Sequence, residues 1–182
     1  MACACKEIFM GAHSSLGPID PQIRGIPAHG VVEEFNRAVC EIKADAAKIP
    51  VWQPIIAKYN PTLIGECEKA LKWSDEIVRE WLLSGMLRRR KDKNERTNRI
   101  LKELGDHALT KSHARHLSLA RCKEIGLVVT PLEQDHKLQD AVLSVHHACI
   151  HTFAGTDALK IVENQKGIAQ VTKAVMMQVK KG

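Results

Sequence analysis

Helical patterning runs through most of this chain, and only a few short stretches read as strands. Between Val31 and Ile49, apolar residues fall at Val31, Val32, Phe35, Ala38, Val39, Ile42, Ala46 and Ile49, the three-and-four spacing of an amphipathic helix that Pro50 is expected to end. A second helix is punctuated at both ends, with Asn60 as N-cap, Pro61 at the first helical position and Gly85 just past the last turn. A third covers roughly Glu95 to Leu104 and stops at Gly105. "LARCKEI" after Ser118 reads as two capped turns closed by Gly126, and Leu138, Val142, Val145, Cys149 and Phe153 mark a further amphipathic helix. Against this, strand signals are confined to Glu7–Met10 and Leu127–Val129. Strands so short are useful only inside a sheet. The pattern therefore reads as the helix-rich part of an α/β protein whose central sheet lies mostly elsewhere.

The beginning of the chain points the same way. "ACAC" has the small residues of a helix that another element crosses closely, and it leads directly into the first strand signal. Three prolines and three glycines between Ala12 and Gly30 make the next segment an ordered set of turns. The tail, "GIAQVTKAVMMQVKKG", fits strand or helix equally well. At 182 residues the chain is expected to form one domain, residues 1–182, with an aliphatic core, because aromatic residues are only 4% of it.

Composition narrows the setting. No run approaches the roughly 20 apolar residues that span a bilayer, and Lys6 and Glu7 interrupt the only early apolar stretch. Six scattered cysteines without an export signal read as reduced thiols of a cytoplasmic protein. Much of the net charge of +6 sits in the run "RRRKDK", Arg88 to Lys93. With no aromatic residue interleaved to stack bases, this run reads as a solvated loop and nucleic-acid binding is not expected.

Beyond these signals, "ACACKEIFMGAHSSLGPIDPQI" resembles the segment that follows the nucleophile in the serine dehydrogenase proteinase family. "ARCKEIGLVVTPLE", "LQDAVLSVHHA" and "DALKIVENQKG" follow in the same order as in that family. The family is related to the Clp protease proteolytic subunit and to signal peptide peptidase A. The resemblance implies a Clp/crotonase-like fold, a serine-peptidase-like hydrolase acting on a peptide or protein substrate, no cofactor or metal, and self-assembly into a homo-oligomer. In the family a Ser-Ala-Gly type turn carrying the nucleophile precedes the small-residue helix, and here Met1 already lies within that helix. The expectation is thus the C-terminal portion of such a domain, truncated at the N-terminus and therefore helix-rich, and inactive without the upstream serine.

A serine nucleophile needs a base and oxyanion donors. His13 with Asp20 resembles the histidine and acid of a triad, although Asp20 before Pro21 also suits an Asx turn. Lys43 is the alternative, by similarity to the Ser-Lys dyads of the signal peptide peptidase branch. It flanks the apolar stripe of its helix, where lost hydration would lower its pKa toward that of a usable base. The local serines are poorer candidates, since Ser14 faces away from His13 in extended chain and Ser15 is two positions off. For metals, "CAC" lacks zinc spacing, and the pairs His147/His151 and His113/His116 have no third ligand nearby. The competing reading is a non-catalytic helical assembly or binding module with a basic patch.

Overall fold

A computed structural model describes residues 1–105 and 116–174. The chain is α/β, with long helices and short strands. It divides into two compact units, Met1–Pro131 and Leu132–Gly182, each described by itself below.

The first unit opens with a single 3-10 turn, Ala2–Ala4, that leads to β1, Ile8–Met10. Two short strands follow, β2 (Ser15–Leu16) and β3 (Gln22–Ile23), then β4 (Ile26–Pro27), which pairs with β3 across a tight turn at Arg24 and Gly25. Helix α1, Ala28–Ala44, comes next and ends before Pro50 is reached. Pro50 does not terminate a helix. It lies in the first turn of α2, Ile49–Ile56, where its missing N–H would have had no intrahelical acceptor in any case. A ladder of polar contacts holds α2 to α1: the Trp52 indole N–H donates to Glu41 Oε2 at 3.2 Å, Lys48 pairs with the same carboxylate at 3.3 Å, and the Arg37 guanidinium stacks 5.0 Å from the Trp52 ring centre. Those donors hold the Glu41 carboxyl below the usual carboxylate range, the Trp52 bond contributing most.

Helix α3, Leu63–Ser84, starts two residues later than the Asn60/Pro61 signal predicts. Asn60 still organises that start, because its side-chain oxygen accepts from the Thr62 amide at 3.1 Å and its carbonyl accepts from the Leu63 amide. The helix stops at Gly85, as read from sequence, and the reason is contact. A Cβ there would sit 2.7 Å from the Trp81 carbonyl oxygen and about 3.5 Å from that of Cys5, so the N-terminal segment crosses tightly over the helix end.

Helix α4 (Lys93–Gly105) and the two-residue strand β5 (Leu117–Ser118) precede α5, Leu119–Ile125. The Ser118 hydroxyl caps α5 by accepting from the Arg121 amide at 3.3 Å. Gly126 ends it with φ of 109°, a left-handed conformation natural to glycine. The Arg96 side chain lies across Gly126 and donates to its carbonyl at 3.3 Å. The chain then enters β6, Val129–Pro131, which runs parallel to β1 with Ile8 opposite Val129 and Met10 opposite Pro131. Strands β2 and β5 pair antiparallel, Leu16 opposite Leu117.

The main core lies between α3, α4, α5 and the β1–β6 pair. Leu82, Leu87, Ile100, Leu104, Cys122 and Ile125 are all nearly inaccessible there. Full burial of such aliphatic side chains contributes on the order of 2 kcal/mol each. A smaller cluster of Ala28, Val31, Leu63 and Cys67 joins α1 to the start of α3, with the Phe35 and Tyr59 rings packed edge to face against it.

The second unit holds α6, His136–Gly155, and a hairpin of β7 (Ala158–Glu163) and β8 (Ala169–Lys173). Asp135 caps α6, one carboxylate oxygen accepting from the Lys137 and Leu138 amides at 3.1 Å each. The ambiguous tail resolves as strand over Ala169–Lys173, and residues 175–182 lie outside the described part. No residue of α6 is buried.

Candidate functional site

The loop after β1 is closed by its own serine. The Ser14 amide donates to the Gly11 carbonyl at 2.9 Å, and the Gly11 amide donates back to the Ser14 hydroxyl oxygen at 3.2 Å. Ser15 continues into β2 and pairs with Ser118. The Ser14 hydroxyl is thus occupied in closing the turn, and Ser15 carries the backbone into a strand. His13 sits in the turn between them and β1, exposed to solvent.

Asp20 lies further along, where the loop is pinned by the Ile19 amide donating to the Leu104 carbonyl at 2.9 Å. Its two carboxylate oxygens are shielded from solvent. Lys43 occupies the last turn of α1 and is exposed, while the buried positions of that helix are Ala28, Val31 and Ala38. Among the described residues no hydrogen bond or ion pair joins any two of His13, Asp20 and Lys43.

What the loop does form is one wall of a groove. Leu16, Pro18, Ile19 and Pro21 face α3 across a cavity of about 540 Å³, with Cys3 at one end. The opposite wall is a stripe at Trp73, Ile77 and Trp81, four residues apart and therefore on one helical face. Trp73 is 65% exposed and Trp81 37%, unusual for the largest apolar side chains of a chain so poor in aromatics. Apolar walls of this kind can take up a segment bearing large apolar side chains. Neither Trp73 nor Trp81 is singled out by the sequence patterning described above. The spacing 73–77–81 was the available signal.

The three buried cysteines are poorly suited to nucleophilic work. Burial pushes the Cys3, Cys67 and Cys122 thiols above the ordinary range, which leaves little thiolate at neutral pH. For metals, His147 and His151 are both exposed on α6, and no group of three histidine, cysteine or acidic side chains converges among the described residues. His113 lies outside the described residues, so the His113/His116 pair has no described geometry. No helix among the described residues is long and apolar enough to cross a membrane.

Comparison with known proteins adds a distant relative. An uncharacterized protein of Methanocaldococcus jannaschii is 28% identical over 131 residues, a match that covers 71% of this chain. The chain spans only about 37% of that protein's length. No family model matches the chain, and no solved structure matches it.

Proposed function

We propose that this chain is the C-terminal portion of a serine-peptidase-like hydrolase with a Clp/crotonase-like fold, similar to the serine dehydrogenase proteinase family. The observation that carries the reading is the arrangement around β1. A short strand in parallel pairing leads directly into a loop that bears a histidine and then walls an apolar groove. Parallel pairs occur in sheets whose strands are linked by helical crossovers, which is the kind of sheet this fold uses. In this reading the serine that attacks the peptide carbonyl is supplied from outside the 182 residues. His13 supported by Asp20, or alternatively Lys43, takes its proton, and the groove seats the apolar side chains of the substrate. No metal or cofactor enters the scheme, and the protein works in the cytoplasm.

Self-assembly belongs to the same proposal. Val142, Val145, Ile150 and Phe153 of α6 are exposed, as are Leu159, Val162, Ile168 and Val171 of the hairpin. Scattered apolar residues are ordinary on a surface, but so many within one small unit favour an association that covers them. Sedimentation should find a homo-oligomer, and a strict monomer at micromolar concentration would remove this element.

The decisive test uses a fluorophosphonate probe, which labels activated serines. The 182-residue chain should stay unlabelled. A version extended upstream to include the family serine should label, and His13→Ala or Lys43→Ala in that version should abolish labelling according to which residue is the base. Failure of the extended protein to label would instead favour a non-catalytic helical assembly or binding module, the reading that the exposed apolar faces and the free basic run support on their own.

A further inference from the structure

A second cavity opens where the N-terminal segment crosses the end of α3, and its charge is one-sided. About 570 Å³ in volume, it is lined by Ala4, Lys6, Ser84, Gly85, Met86, Arg88 and Arg89. The three cations come from chain segments some eighty residues apart, brought together because the Ala4 and Cys5 carbonyls pack directly on Gly85. Among the described residues no carboxylate lines the cavity. Glu7, next to Lys6 in sequence, is occupied by the Thr130 hydroxyl, which donates to it. Asp92, the acid nearest the arginines in sequence, is taken by Arg96 at 2.8 Å.

Some basic side chains of the same unit are neutralised by carboxylates. Arg37, Lys48, Arg96, Arg99 and Arg121 all pair with carboxylates. Lys6, Arg88 and Arg89 pair with none among the described residues. Three like charges held around one hollow repel each other and are relieved by an anion. Guanidinium groups offer forked N–H donors that match tetrahedral oxyanions, and a lysine adds a compact point charge. The volume exceeds what a single phosphate fills. Among the described residues no aromatic side chain lines the hollow to stack a nucleobase, which sets it apart from a single-strand nucleic-acid surface. The Ser84 hydroxyl donates to the Glu80 carbonyl at 2.7 Å, so it has no proton to offer and the cations carry recognition.

We propose that this cavity binds a compact polyphosphate group, inorganic or borne on a small molecule, between Lys6, Arg88 and Arg89. The site is independent of the hydrolase reading and does not depend on an upstream serine. The test is calorimetric titration of the 182-residue chain at low ionic strength with two probes, inorganic tripolyphosphate and ATP. One site per chain is expected. Lys6→Ala, Arg88→Ala and Arg89→Ala should each weaken it about tenfold, the usual value of one charge-assisted contact. Arg88→Lys, which keeps the charge and loses the fork, should weaken it less, and Lys69→Ala on the exposed face of α3 should change nothing. Circular dichroism verifies that each variant retains its helices. Equal affinity for the two probes assigns recognition to the phosphates alone, and tighter ATP binding adds a contact from the nucleoside; both support the site. Absence of binding at millimolar probe would overturn it, as would an equal loss from Lys69→Ala. So would binding of a single-stranded oligonucleotide, without tripolyphosphate binding, that Arg90→Ala and Lys91→Ala weaken as much as Arg88→Ala.

Discussion

Helices α3 and α6 are nearly the same length, 22 and 20 residues, and both carry a regular apolar stripe. Their surroundings differ completely. Helix α3 buries Leu63, Cys67, Val78 and Leu82 against neighbours on both sides, while α6 buries nothing. An apolar stripe says that a helix has a face to cover. It does not say whether the cover comes from the same chain. In the first unit the cover is internal and the core is dense; in the second the stripe is exposed.

The sharpest way to break this contrast is to cut into α3. Leu82→Ala removes a fully buried side chain and should cost about 3 kcal/mol, read as a lower urea midpoint by circular dichroism. A loss below about 1 kcal/mol would mean that the α3 core is no tighter than the α6 face. Next in size is Gly126→Ala, which forces a side chain into a left-handed backbone and into the Arg96 stem, 2.5 Å from the new Cβ. It should cost about 1–2 kcal/mol in the same assay. Val145→Ser, on the exposed α6 stripe, is the counterpart to the first. It should shift stability by less than about 0.5 kcal/mol while lowering the sedimenting mass. A cost comparable to that of Leu82→Ala would place Val145 in a folded core.

The smallest effect is electrostatic and belongs to the first unit. Asp92 accepts from Arg96 Nη2 at 2.8 Å and Nε at 3.2 Å, which holds its carboxyl below the usual range. A carboxyl depressed in the folded state stabilises fully above its unfolded value, near pH 4. That contribution fades as pH falls through the lower folded value. Asp92→Asn should therefore lower the urea midpoint slightly at pH 7, with the difference from the parent protein vanishing in strong acid. A difference that persists or grows in acid would deny the pair its role.

What the sequence disclosed was what local chemistry decides. Ser118, the seven residues after it and Gly126 define α5 to the residue, because cap and C-terminal glycine act within two turns. Gly85 likewise marks the end of α3. Pro50 was not decidable from its type, because a proline suits a first turn as well as it ends a preceding helix, and only the chain path tells which. The pairing of β1 with β6 was invisible, since a three-residue strand carries no record of its partner. At the candidate site, the turn made by Ser14 follows from its type, but the exposure of His13 and Lys43 depends on packing. The groove went unseen because half of it is a proline-rich loop without periodicity.

The parallel pair also sets a timetable for folding. Ile8 cannot meet Val129 until the intervening hundred-odd residues exist, since its amide donates to the Val128 carbonyl. At roughly 5–20 residues per second on the ribosome, β1 waits many seconds unpaired while α1, α3 and α4 emerge. In the isolated chain, closing so long a loop is costly until the helices have packed. The Ile8 amide should thus be among the last in the first unit to gain protection in pulse-labelled hydrogen exchange; early protection there would mean that the strands meet before the helices do. The strand that leads into the histidine loop is in this sense a keystone, set after the arch is standing.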